Sequence, residues 1–255
     1  MSRFEDEPGD ILKKVRFGRS LTVAQAAKLG GLTADTLERL ESLQLAFDPS
    51  HLALAEGLGL NGEALLMLAA DEGLDVVLPT DVAAIRSPWS SWTYVWFGPA
   101  GAVVIDPAVP YRALERHLGG NPLAAVFVTH SHQDHLATYE MVAPHAAACY
   151  AHPDLAATLG ASPLAPGEQA AGLRALAAPG HAEDGLVLYG DDLAFTGDAL
   201  FARSAGRART AADFRDVLES VRRILALPPA TVLLPGHGPP TTVALERRLN
   251  AFYLI

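Results

Sequence analysis

The sequence predicts an α/β fold in which a layered domain of strands and helices follows a small all-helical module. Three observations predict it. The apolar spacing changes near residue 75 from a helical period to short strand-like runs interleaved with helices. Proline and glycine mark nearly every junction beyond that point. Several of the apolar runs end on a histidine or an aspartate just after a glycine.

The helical module is expected over residues 1–72. Ile11, Leu12 and Val15 form one apolar stripe, Val23, Ala26, Ala27 and Leu29 a second, and Leu37, Leu40 and Leu43 a third. Leu52, Leu54, Ala55 and Leu58 follow, then Leu65, Leu66 and Leu68. Thr22 and Thr33 stand where helix N-caps belong, Gly30-Gly31 breaks the chain between them, and Asp48-Pro49 and Asn61 open the last two helices.

The α/β domain is expected over residues 73–255. The pattern predicts strands over 76–78, 92–97, 102–105, 125–128, 186–189, 193–196 and 232–234. It predicts helices over 111–118, 136–142, 154–159, 213–225 and 243–249. Trp92, Tyr94 and Trp96 alternate and so share one face of their strand. Sheet core is the first reading of that face, and an aromatic wall beside a site is the second. The alanine-rich stretch at 143–148 reads as compositional.

Composition excludes several classes. Half of the 255 residues are hydrophobic, enough for a sizeable core, and the single cysteine rules out a disulfide framework or a Cys-only metal site. No apolar run approaches the ~20 residues of a membrane span. The acidic N-terminus lacks an apolar signal core, so a cytoplasmic location is expected. A net charge of -10 argues against broad nucleic-acid or anionic-membrane binding. The nine histidines are the surplus in this composition.

Five of them fall into chemically pointed contexts. The apolar run Val126-Phe127-Val128-Thr129 leads directly into His130-Ser131-His132-Gln133-Asp134-His135. A strand end is a rigid platform from which a loop can aim several side chains at one point. His130 and His132, two apart, can point the same way, while Asp134 and His135 can serve a neighbouring position. Four good ligands in six residues suit two adjacent cations better than one. Three further strand-end pieces place His181 after Pro179-Gly180, Asp198 after Thr196-Gly197 and His237 after Pro235-Gly236. His51, His117, His145 and His152 lack this context and read as ordinary, and Cys149 reads as a small buried residue.

This set resembles the metallo-β-lactamase superfamily and, within it, the glyoxalase II-like (hydroxyacylglutathione hydrolase-like) branch. The resemblance covers about residues 80–255 and also takes in Ile105-Asp106-Pro107, Gly206-Arg207, Thr241-Thr242, Glu246 and Asn250. It implies an αββα sandwich with the site at one edge of the sheets. It implies that His130, His132 and His181 hold one metal, that Asp134, His135 and His237 hold a second, and that Asp198 bridges them. The expected cofactors are two divalent ions, zinc by family habit, with iron or manganese also accepted by such a donor set. The implied reaction is hydrolysis of a thioester or related ester by a hydroxide shared between the ions, with Asp134 as the catalytic proton carrier. Similar motifs occur in single-iron persulfide dioxygenases, which use the equivalents of His130, His181 and Asp198, so that reaction is the alternative within enzymes. Secreted zinc β-lactamases commonly carry cysteine where this chain has Asp198. The chain reaches 18 residues beyond His237, so the C-terminal glutathione-binding domain of long glyoxalase II enzymes is not expected.

The helical module resembles the Cro/repressor-like helix-turn-helix family. The resemblance makes 22–29 the first helix of the motif and 33–42 the recognition helix, with Ala34, Asp35 and Arg39 facing DNA. Against that, residues 1–75 carry 7 Lys/Arg and 13 Asp/Glu, a net of -6, and phosphate contacts need positive charge. A docking or homodimer-forming module is the other expectation, and a regulator with a metal-site sensor domain is the alternative outside enzymes. The expected partner is a small ester or thioester, with DNA secondary and no membrane.

Overall fold

A computed structural model describes residues 4–70 and 76–253. The expected boundary between residues 72 and 73 lies outside the described residues. Five short helices come first: α1 (Pro8–Gly18), α2 (Val23–Leu29), α3 (Ala34–Glu41), α4 (Leu52–Gly57) and α5 (Gly62–Ala69). Their starts follow the caps legible in the sequence. Thr22 and Gln25 form a reciprocal capping box, and Thr33 and Asn61 accept from the amides of Thr36 and Ala64. Asp48 and Pro49 open a single 3-10 turn ahead of α4.

Two six-stranded sheets follow. The first runs in the order β1 (Val82–Arg86), β2 (Trp92–Gly98), β3 (Gly101–Ile105), β4 (Leu123–Phe127), β5 (Ala146–Ala151) and β6 (Ser162–Pro163), antiparallel up to β3 and parallel beyond. Helices α6 (Tyr111–Leu118), α7 (Gln133–Leu136), α8 (Tyr139–Val142) and α9 (Pro153–Leu159) connect its strands. The chain then forms β7 (Gln169–Ala170), β8 (Leu173–Ala177), β9 (Leu186–Gly190), β10 (Leu193–Gly197), the ribbon β11 (Leu200–Phe201) with β12 (Ser204–Ala205), α10 (Ala211–Leu225), β13 (Val232–Pro235), β14 (Thr241–Thr242) and α11 (Val243–Leu249). The second sheet has the order β14-β13-β10-β9-β8-β7, with only β10 and β13 parallel.

Three apolar layers hold these sheets. Trp96, Ile105, Phe127, Leu188, Phe195 and Leu234 fill the space between them. Leu114, Leu118, Val142 and Leu155 cover the outer face of the first sheet. Val187, Ala194 and Leu233 meet Val217, Val221 and Ile224 of α10 on the outer face of the second, which completes helix, sheet, sheet, helix. That last layer does not stop at α10. Phe214, Val217 and Phe252 belong to one continuous cluster with Ile11, Leu12, Leu37, Leu54 and Leu65, so the five N-terminal helices pack as a further layer on α10 and α11. Among the described residues no helix is long and apolar enough to cross a membrane.

Three expectations need correction. Residues 76–78 form no strand, and Val77 is 84% exposed; the edge strand is β1, which the alternation did not reveal because Ala83 and Ala84 carry little pattern. Of the alanine-rich stretch, Ala143–His145 is a 3-10 turn and residues 146–148 open β5, made a strand by pairing with β4 rather than by any preference of alanine. The helix expected over 136–142 is two single turns, because the Thr138 hydroxyl donates to the carbonyls of Pro107 and Val109 and anchors the chain between them.

One ion pair inside the helical region carries an expected result. Arg16 of α1 meets Glu41 of α3 through two 2.6 Å contacts, and both residues are buried. Glu41→Ala leaves a buried guanidinium uncompensated and should cost roughly 3–5 kcal/mol, read from the midpoint of urea unfolding. Replacing the pair together by Arg16→Met and Glu41→Leu should recover most of that loss. A Glu41→Ala midpoint equal to the parent's sinks the assignment.

Candidate metal centre

The site lies where strands of both sheets end. In each sheet a parallel pair delivers neighbours to the same edge. Parallel β3 and β4 bring Asp106 beside Thr129 and His130, and parallel β10 and β13 bring Asp198 beside Gly236 and His237. The turn after β8 carries His181, and α7 with its N-cap carries His132, Asp134 and His135.

All seven residues singled out in the sequence come together here, in two adjacent groups. His130, His132, His181 and Asp198 form one, and Asp134, His135 and His237 the other; within each, one donor atom per residue lies within 4.8 Å of every other. Asp198 reaches across both. Its Oδ1 is 3.2 Å from His135 Nε2, and its Oδ2 is 3.4 Å from His181 Nε2 and 3.7 Å from His237 Nε2. Asp134 Oδ2 lies 3.1 Å from His237 Nε2 and 3.6 Å from His135 Nε2.

The donor set fits cations. His130 Nε2, His135 Nε2 and Asp198 Oδ1 are buried with no hydrogen-bond partner, an expensive arrangement for groups that nothing else engages. Five imidazoles and two carboxylates are borderline nitrogen and hard oxygen donors, suited to zinc, iron or manganese.

The charge balance is arranged by the same contacts. Burial opposes ionisation of Asp198, but the His135 imidazole facing it and the other imidazoles around it outweigh that and hold the carboxyl below its usual range. The hydrogen bond from His237 brings Asp134 down to about 2. Burial pushes His130 down and His181 down to about 4, so both favour the neutral form that binds metal.

Glycine is required at one close approach. A Cβ on Gly236 would sit 2.3 Å from Asp198 Oδ1 and 2.5 Å from His135 Cε1. The aromatic strand β2 fixes the same loop from below. Tyr94 Oη donates to the Pro235 carbonyl and Trp92 Nε1 to that of Gly238, each at 2.7 Å. Tyr94 and Trp96 are sheet core, packed on Phe195. The strand is therefore sheet core that also anchors the His237 loop through its first half.

Asp106 is the contributor that the sequence reading left out of the site. It is buried, accepts from Thr129 N and Oγ1 at 2.7 and 2.8 Å, and lies 3.0 Å from His135 Nδ1. The outer nitrogen of His135 thus has a carboxylate that fixes the ring. Asp106 stands at the end of an apolar strand, the same signal that pointed to the clustered donors. Ser91 Oγ, donating at 2.5 Å to the Asp134 carbonyl, carried no such signal. His51, His145 and His152 lie outside both groups, as does His117.

A cleft of about 360 Å³ opens beside His132 and His181, with Ser131, Asp154, Asp184 and Arg209 on its walls. Ala34, Asp35 and Arg39 are elsewhere, on the exposed side of α3 next to Glu38; none joins the cluster.

Comparison with known proteins places this geometry in context. A family model described as Metallo-beta-lactamase superfamily matches residues 86–165 and 160–237. An uncharacterized protein of Mycobacterium bovis is 43% identical over 83 residues, 29% of this chain, and the match spans 37% of that protein's length. A hydroxyacylglutathione hydrolase of Xylella fastidiosa is 30% identical over 184 residues, covering 61% of this chain and 68% of the relative. Among solved structures, TTHA1623 in a di-iron-bound form matches with a TM-score of 0.57 at 32% identity, over 69% of this chain and 100% of that one.

Proposed function

The chain belongs to the metallo-β-lactamase superfamily, and on that footing we propose that it is a two-metal hydrolase of a small thioester or related ester, of the glyoxalase II kind. The observation that carries the proposal is the convergence of seven donors into two adjacent groups joined by Asp198, with buried ligand atoms that nothing else engages. The likeness to a hydroxyacylglutathione hydrolase supports a thioester, and the likeness to a protein solved with two irons supports a pair of ions.

His130, His132 and His181 would hold one ion, Asp134, His135 and His237 the other, with Asp198 between them. Bound there, the ions would supply Lewis acidity, which lowers the pKa of water and would polarise a carbonyl. The chain's own groups do the rest. Asp134 is the more open of the two carboxylates, with its side chain 30% exposed. It is ionised at neutral pH and placed to take a proton and return it to the departing thiol or alcohol. Asp106 and Thr129 hold His135 and His130 in register. The cleft walled by Ser131, His132 and Arg209 seats the acyl group. Zinc is the expected metal, with iron or manganese compatible. The helical module acts through docking onto α10 and α11.

Elemental analysis of the purified protein, with assays on S-lactoylglutathione and glutathione persulfide, tests the reading. Two zincs with thioester hydrolysis that is lost to a chelator and restored by metal are the expected result. One iron with oxygen uptake would instead make the protein a persulfide dioxygenase. No turnover of thioesters or lactones at full metal loading would overturn the hydrolase assignment.

A further inference from the structure

The helical region and the metal centre meet at one place. Residues 4–6, just ahead of α1, run along the loop that carries His237. Gly238 has φ +75, and a Cβ on it would lie 3.3 Å from the Glu5 amide nitrogen. The segment is tied down on its other side. Asp6 Oδ2 accepts from Ser204 Oγ at 2.6 Å and from Lys14 Nζ at 2.5 Å, and Lys14 also donates to the Ala205 carbonyl at 2.9 Å. Lys14 lies over the Phe201 ring, which in turn stands edge-on to His237.

This strap delivers a carboxylate to a specific atom. His237 turns Nε2 toward Asp134 and Asp198, so Nδ1 faces outward, and Glu5 Oε2 lies 3.9 Å from that Nδ1. The arrangement parallels His135, whose outward Nδ1 faces Asp106 at 3.0 Å. The two imidazoles of the Asp134, His135 and His237 group thus each have a carboxylate behind them. One comes from the end of β3 and the other from the helical region.

We propose that Glu5 is a positioning residue for the second metal: its carboxylate accepts a hydrogen bond from the Nδ1–H of His237 and so fixes the ring with Nε2 toward the ion. At 3.9 Å the two atoms are within electrostatic reach but beyond hydrogen-bond distance. The Glu5 side chain is 39% exposed, which leaves it room for the short adjustment that closes the bond. Asp6 and Lys14 hold the strap in place. The helical region therefore contributes to the metal centre itself.

The inference rests on the two-metal reading, and one experiment separates them. Zinc is titrated into the chelator-stripped full-length protein against a chromophoric competitor, for the parent, Glu5→Ala and Glu5→Gln. The parent should take up two equivalents. Glu5→Ala should bind the second equivalent about 10–100-fold more weakly and the first unchanged, since partners behind metal-bound histidines carry effects of that size. Glu5→Gln, whose amide oxygen still accepts the N–H, should keep most of the affinity. Cobalt substitution should show an altered absorption band in Glu5→Ala alone. Unchanged second-equivalent affinity in Glu5→Ala overturns this inference and leaves the two-metal reading intact. Equal weakening of both equivalents overturns it too. A parent that binds one ion at saturation overturns both.

Discussion

Asp198→Ala is expected to strip metal from both halves of the centre and to lower turnover by more than about 10³-fold, beyond the roughly 10–100-fold typical of partners outside the ligand set. The reason is position and charge together. Asp198 is the residue whose two oxygens approach His135 on one side and His181 and His237 on the other. Two divalent ions carry four positive charges, and the clustered donors set two carboxylates against them. Alanine leaves Asp134 alone among five histidines. Elemental analysis and steady-state turnover read the result together. Asp134→Ala should differ in kind, by weakening one ion and leaving the other. Full metal content in Asp198→Ala would remove the bridging assignment.

The second large effect is expected at Asp106. Its carboxylate takes the Thr129 amide, the Thr129 hydroxyl and the outer nitrogen of His135, all buried. Asp106→Ala leaves the Thr129 amide and His135 Nδ1 unpartnered, removes the acceptor of the Thr129 hydroxyl, and also puts alanine at φ +54, a backbone region that aspartate tolerates better. We expect a loss of roughly 3–5 kcal/mol in stability, with weaker binding of the ion next to His135. Asp106→Asn keeps one oxygen, which can still serve Thr129 Oγ1 and His135 Nδ1 but sets an N–H donor against the Thr129 amide, so it should restore part of the stability and most of the metal affinity. Urea unfolding and metal titration separate the two roles. A stability loss under about 1 kcal/mol in Asp106→Ala would show that the network is weaker than this account requires.

The donor cluster was legible because it follows local rules: an apolar run leading into His130, His132, Asp134 and His135, and an apolar run, a glycine turn, then His or Asp at the other three positions. Strand ends are written in the sequence by hydrophobicity and glycine, and His130, His181, Asp198 and His237 stand directly after them. Asp106 obeys the same rule, but nothing nearby in the sequence says that it faces His135, 29 residues on. Glu5 obeys no local rule at all, since its partner lies at the far end of the chain. The fold divides along the same line. Capped helices and the apolar strands β3, β4 and β10 are specified by their own residues. Strand β5 is specified by its neighbour, because alanine gains its place in a sheet only from the pairing around it. The α2–α3 pair shows a further limit, for caps and a glycine turn describe how two helices join and not what their outer face meets.

The cluster joining α1–α5 to α10 and α11 has a consequence for how the protein is made. The Asn61 amide donates to the Ala251 carbonyl, and Asp6 waits for Ser204. Helices α1–α5 therefore carry an apolar face whose cover, α10 and α11, is synthesised much later. For most of translation Ile11, Leu12, Leu37 and Leu65 have only each other to pack on, and closure requires contacts of very long sequence separation, which form slowly. Nascent chains halted before residue 200 should be protease-sensitive throughout α1–α5, and protection should arrive there only once α10 and α11 have been made.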